Sequence, residues 1–118
     1  MSFNPPVYVL IGCDTDSPLI LPDPFAEEDD KYVVPIFSTS ELADEFQKKT
    51  DGMFNEPMTI EEFGIPKLGM FVEMLDFCKQ VAYAVVFDPH TNQPKWTPLQ
   101  YFRDGLYEFL DRVERVIK

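Results

Sequence analysis

The chain has 118 residues, a formal net charge of -11 and a pI near 4.3, with 45% hydrophobic and 14% aromatic residues. That length suits a single domain (1–118), and that apolar content fills a core without metals or crosslinks, which excludes general disorder. Ten Lys and Arg against 21 Asp and Glu, with no basic run longer than Lys48-Lys49, exclude partners held by phosphate neutralisation: nucleic acid and anionic membrane.

The opening MSFNPP has neither a basic n-region nor a long apolar h-region, so no secretory signal is expected and the expected location is cytoplasmic. Val7 to Ile11 is short, β-branched and aromatic, and reads as a buried strand closed by Gly12. An acidic, Pro-rich loop at 13–31 follows, in which Leu19-Ile20-Leu21 is either a short strand or a plug over the core. Tyr32 to Phe37 is a second strand; Pro35 has no N–H for a ladder, which places it at an edge, at a bulge or near the strand's end.

Ser38 and Glu41 stand in capping-box spacing and open a helix with Leu42, Ala43 and Phe46 on one face. Lys48 and Lys49 suit its C-terminal dipole, and Gly52 its left-handed stop. Met58 to Phe63 is a weak strand candidate between Pro57 and Gly64. Pro66 fits the first turn of a helix over Lys67 to Gln80. Val81 to Phe87 is the most apolar strand and is expected to be central, with Asp88-Pro89 as its stop. Lys95-Trp96 allows a short strand. Thr97 and Gln100 form a second capping box for a last helix, with Leu99, Phe102, Leu106, Phe109, Leu110, Val113 and Ile117 on one face. Asp111 with Arg115 and Glu114 with Lys118 pair across a turn on its polar side, and Gly105 weakens its middle. The fold class is therefore α+β: a mixed sheet of four to five short strands with three helices.

This order, with the run Val34-Pro35-Ile36-Phe37-Ser38-Thr39-Ser40-Glu41-Leu42-Ala43 and the Asp88-Pro89 turn, resembles the SseB-like family over residues 7 to 110. The resemblance implies a bacterial domain with no enzymatic mechanism attached to it. No catalytic residues carry over from it.

The candidate sites are few. Asp14 and Asp16 follow a hydrophobic strand as D-x-D, the placement of a phosphotransferase nucleophile and its general acid beside Mg²⁺, which also needs a Lys and a distal acidic pair. Gly12 and Cys13 intervene, no later strand ends in paired acids, and Asp and Ser are ordinary turn residues. His90 is the only histidine and has no second His or Cys at ligand spacing, so it reads as a solvated loop residue. Cys13 and Cys78 read as buried free thiols, with one disulfide between them as the alternative.

The helix over Lys67 to Gln80 carries more. At about 100° per residue, Leu68, Phe71, Val72 and Leu75 share one face while Met70, Met74 and Phe77 lie nearly opposite. That second stripe is covered either by the chain itself or by a partner, and Met with aromatic residues marks adaptable interfaces. Met70, Met74 and Phe77, together with Trp96, are the candidate interface.

The residues favour a non-enzymatic protein-interaction module, with a protein partner or a homodimer and no cofactor. The alternatives are a small Mg²⁺-dependent phosphate-processing enzyme using Asp14 and Asp16, and an acidic nucleic-acid mimic that binds a basic protein.

Overall fold

The computed structural model describes residues 6–22, 31–54, 56–91 and 94–117, with side chains in the last helix described to residue 112. Its elements follow in the order β1 (Val7–Gly12), β2 (Leu21–Pro22), β3 (Tyr32–Ile36), α1 (Ser40–Lys49), β4 (Met58–Phe63), α2 (Leu68–Cys78), β5 (Ala84–Phe87), β6 (Lys95–Pro98) and α3 (Leu99–Ile117). The class is α+β, as expected. The strands, however, divide between two sheets: β1 with β4, and β2-β3-β5-β6 in that order.

In the smaller sheet β1 and β4 are antiparallel, with Val7 opposite Phe63 and Gly12 opposite Met58. In the larger one β3 and β5 are parallel, while β2 and β6 run antiparallel to their neighbours. A parallel pair needs a long crossover, and α1, β4 and α2 supply it. The apolar strand β5 is central, between β3 and β6. The sheets are stitched together where Tyr8 and Phe37 exchange backbone hydrogen bonds of 2.9 and 2.8 Å.

Pro35 shows how composition shaped this junction. The Ile36 carbonyl accepts the Asp88 N–H from the β5 side. Alternation therefore turns the nitrogen of the buried Pro35 away from β5, between the short β2 pairing at Val33 and the Tyr8–Phe37 bridge. Its missing N–H falls where no strand asks for it.

Three apolar clusters result. The largest lies between the sheets and α2 and α3, and joins Val9, Val34, Ile36, Phe63, Leu68, Phe71, Leu75, Val85, Leu99, Phe102 and Leu106. A second, under α1, joins Leu10, Leu19, Phe37, Ala43 and Phe46; Leu19 is thus a plug over the core and Leu21 a strand residue. The third, Val33, Ala84 and Val86, lies on the opposite face of the larger sheet.

One cap differs from expectation. Thr39, not Ser38, caps α1, accepting the Leu42 N–H at 3.1 Å. Ser38 is diverted across the sheet: its N–H and hydroxyl both donate to the Asp88 carboxylate, at 3.0 and 2.8 Å. Gly52 does adopt φ +82, beyond the end of α1. A 3-10 turn over Ile65–Lys67 holds Pro66 and leads into α2. α3 runs unbroken through Gly105, and the side chains of Val113 and Ile117 and the partners Arg115, Glu114 and Lys118 lie outside the described residues, as does 23–30 of the acidic loop.

Candidate functional site

α2 presents three distinct arcs. Leu68, Phe71, Val72, Leu75 and Cys78 are buried against the sheets. On one flank the helix is tied to α3: the Asp76 carboxylate accepts Arg103 Nε at 2.8 Å and a terminal guanidinium nitrogen at 3.2 Å. Arg103 also lies 4.8 Å from the Tyr107 ring centroid. Its guanidinium holds the Asp76 carboxyl below the usual carboxylate range, chiefly by hydrogen bonding; burial opposes this, and the charges of Arg103 and then Lys79 add to the lowering.

The other flank is open. Met70 is 60% exposed and Phe77 57% exposed, whereas Met74 is half-buried and packs on the main core. Met70 and Met74 form one wall of a groove of about 220 Å³, completed by Ile11, Asp16, Pro18, Glu61 and Phe63 from β1, its following turn and β4. The expected second stripe is therefore not a uniform face. Met70 and Phe77 reach solvent, and Met74 marks the boundary with the core.

Trp96 is elsewhere. It stands opposite Val86 on β6, and Val86 belongs to the cluster on the sheet face away from the helices. The structure brings Met70, Met74 and Phe77 together and separates Trp96 from them.

The turn after β1 places Asp14 and Asp16 at the surface, with Asp16 at φ 55, a left-handed conformation that Asp tolerates. The turn is organised by Glu56, whose carboxylate accepts the Asp14 N–H at 3.1 Å, the Thr15 N–H at 3.2 Å and the Thr15 hydroxyl at 3.0 Å. Those donors push the Glu56 carboxyl below its ordinary value. A Cβ on Gly12 would stand 1.8 Å from Glu56 Oε1, so glycine is required for this approach. Among the described residues no group of three or more His, Cys, Asp or Glu side chains is placed to hold a metal ion.

His90 corrects the expectation of a solvated loop residue. Its side chain is only 8% exposed, with ring centroids 6.0 Å from Phe37 and 5.7 Å from Phe46. Neither ring nitrogen has a hydrogen-bond partner, and Nε2 lies 3.6 Å from the Glu45 carboxylate. The imidazole serves here as an aromatic packing element between α1 and the β5 turn. The cysteines are both free, but only Cys78 is buried; Cys13 is exposed, because the turn lifts it off the strand. Burial pushes the Cys78 thiol up to about 11, which makes it unreactive.

Sequence reasoning missed the far wall of the groove and the role of Glu56. Ile11, Phe63 and Met70 come from three separate elements, and Glu56 lies 42 positions from Asp14, so no local period or motif signals either. Compared with known protein families the chain matches none, and no curated protein is similar enough to count as a relative. Among the described residues no helix is long and apolar enough to cross a membrane.

Proposed function

We propose that this protein is a non-enzymatic protein-interaction module, resembling SseB-like proteins, and that the open flank of α2 is its contact surface. The observation that carries this reading is the exposure of Met70 and Phe77 beside an apolar groove on an otherwise strongly acidic molecule. Large exposed apolar side chains grouped on one helix are unusual on a monomer, and Met with Phe supplies adaptable contact area that a partner removes from water. The same reading places the protein in the cytoplasm, whose reducing conditions keep the exposed Cys13 thiol unpaired.

The test is affinity capture from a bacterial lysate with immobilised wild type and Phe77→Glu, both checked for folding by circular dichroism. Phe77 is exposed, so the charge should leave the fold intact while the stoichiometric wild-type partner is lost. An identical set of captured proteins would remove α2 from the contact surface. A Mg²⁺-dependent phosphatase activity of the wild type, abolished by Asp14→Asn with Asp16→Asn, would replace the reading with an enzymatic one.

A further inference from the structure

We infer that the groove between α2 and the β1–β4 sheet seats a basic amphipathic helix of a partner protein, an inference that rests on the interaction-module reading. Five of the lining residues are apolar: Ile11, Pro18 and Phe63 on the strand side, Met70 and Met74 on the helix side. Such a lining takes up Leu- or Phe-sized anchors, and flexible Met side chains adapt to their shape.

The rim fixes the charge of the occupant. Asp16 and Glu61 line the groove, and among the described residues no Lys or Arg does. Lys67 pairs with Glu61 at 2.7 Å and offsets that carboxylate, so the acidic rim is carried by Asp16 and by Glu73, exposed on α2 one turn from Met70. With a formal net charge of -11 over the chain, a cationic segment is attracted both at long range and at the rim. A second copy of this chain would bring the same acidic rim and the same net charge, which disfavours it as occupant.

The backbone favours a helix over a strand. Ile11, Glu61 and Phe63 lie on one face of the β1–β4 sheet, so the groove is walled by side chains of a sheet face. β1 is paired along both edges, with β4 on one side and with Phe37, Ser17 and Leu19 on the other. Met70, Met74 and Phe77 at i, i+4 and i+7 instead form a ridge along the 11 residues of α2, against which a second helix packs side by side.

The test uses a synthetic amphipathic Leu/Lys helical peptide of about 18 residues, roughly five turns. Its controls are a scrambled peptide of the same composition and a counterpart with Glu in place of Lys. Each is titrated into the full chain by calorimetry and by amide chemical shifts. The Leu/Lys helix should bind one to one and weaken with salt, with shifts in α2, β1 and β4. Met70→Ser should weaken it about tenfold, the loss expected when a central apolar anchor contact is removed. Asp16→Asn with Glu73→Gln should weaken it and flatten its salt dependence.

Equal binding of the scrambled peptide, or no effect of Met70→Ser, would overturn the groove as the seat and leave only general attraction to an acidic protein. Equal binding of the Glu counterpart would overturn the basic partner while leaving the interaction module standing. Sedimentation showing a wild-type dimer that Met70→Ser dissociates would overturn it in favour of a second copy. Failure of every peptide while capture is still lost in Phe77→Glu would overturn the basic helix and leave the module standing. Failure of every peptide and of self-association, with no stoichiometric partner captured by wild type, would overturn the interaction-module reading itself.

Discussion

Phe46 occupies the position where the helix α1 meets the core. It is buried, 5.2 Å from the Phe37 ring centroid and in edge-to-face contact with His90. Phe46→Ala removes contacts on both sides at once and should lower stability by about 3–5 kcal/mol, read from the urea midpoint. A change indistinguishable from zero would show that α1 does not depend on this side chain. His90 itself predicts the opposite sign. Two buried ring nitrogens without hydrogen-bond partners each lose their hydration on folding. His90→Phe keeps an aromatic ring between the Phe37 and Phe46 rings and removes both unpaired atoms. It should leave stability unchanged or raise it by about 1 kcal/mol. A clear loss of stability would mean that the imidazole holds a polar contact through its nitrogens.

Single turns and helix pairs carry the next level of organisation. Gly12 and Glu56 form a unit, because the carboxylate that gathers three donors from Asp14 and Thr15 sits in the space a Cβ on residue 12 would take. Gly12→Ala and Glu56→Ala should therefore each destabilise the turn, and the double variant should be little worse than either alone. Strict additivity in that double-mutant cycle would show that the alanine acts without displacing Glu56. Between α2 and α3, Asp76 and Arg103 predict a pH dependence. The folded-state pKa of Asp76 lies below its ordinary value of 3.8, so the folded state binds the proton less readily than the unfolded one. Its contribution is complete above that ordinary value and is lost as pH falls through the lowered one. The stability difference between wild type and Asp76→Asn should be constant near neutrality and close in acid below about pH 4. A difference that persists unchanged at lower pH would assign the effect of the substitution to packing.

The whole molecule carries its charge as a burden on the folded state. A formal net charge of -11 on 118 residues repels itself when compact and less so when unfolded. Raising ionic strength from about 0.01 to about 0.15 M shortens the screening length from about 30 to about 8 Å and should raise the thermal midpoint. A midpoint that falls would show that the ion pairs Lys48–Asp44, Lys67–Glu61 and Arg103–Asp76 outweigh the general repulsion. Lys48–Asp44 and Lys67–Glu61 are exposed and contribute little each, which leaves only the partly buried Arg103–Asp76 against the general repulsion, and the opposite outcome is expected.

How much of this was legible in the amino-acid sequence follows from the range of the interactions involved. Strand β1, the apolar run of β5, the end of β3 just past Pro35 and the helical period of α2 and α3 all depend on neighbours within a few positions. So does the positive φ of Gly52, whereas whether Met70 and Phe77 are covered or left exposed does not. Periodicity and backbone sterics determine such features locally. Capping-box spacing points to Ser38, one residue before the actual cap, because Ser38 has a partner 50 positions away in Asp88. His90 has the pattern of a solvated loop residue for the same reason: nothing in the turn Asp88 to Thr91 signals that Phe37 and Phe46 arrive to cover it. The division into two sheets, the burial of Met74, the separation of Trp96 from α2 and the far wall of the groove were likewise decided only by tertiary structure. Each depends on which distant element packs against a residue, and a single chain's local pattern constrains the side chain that is presented but not the surface that meets it.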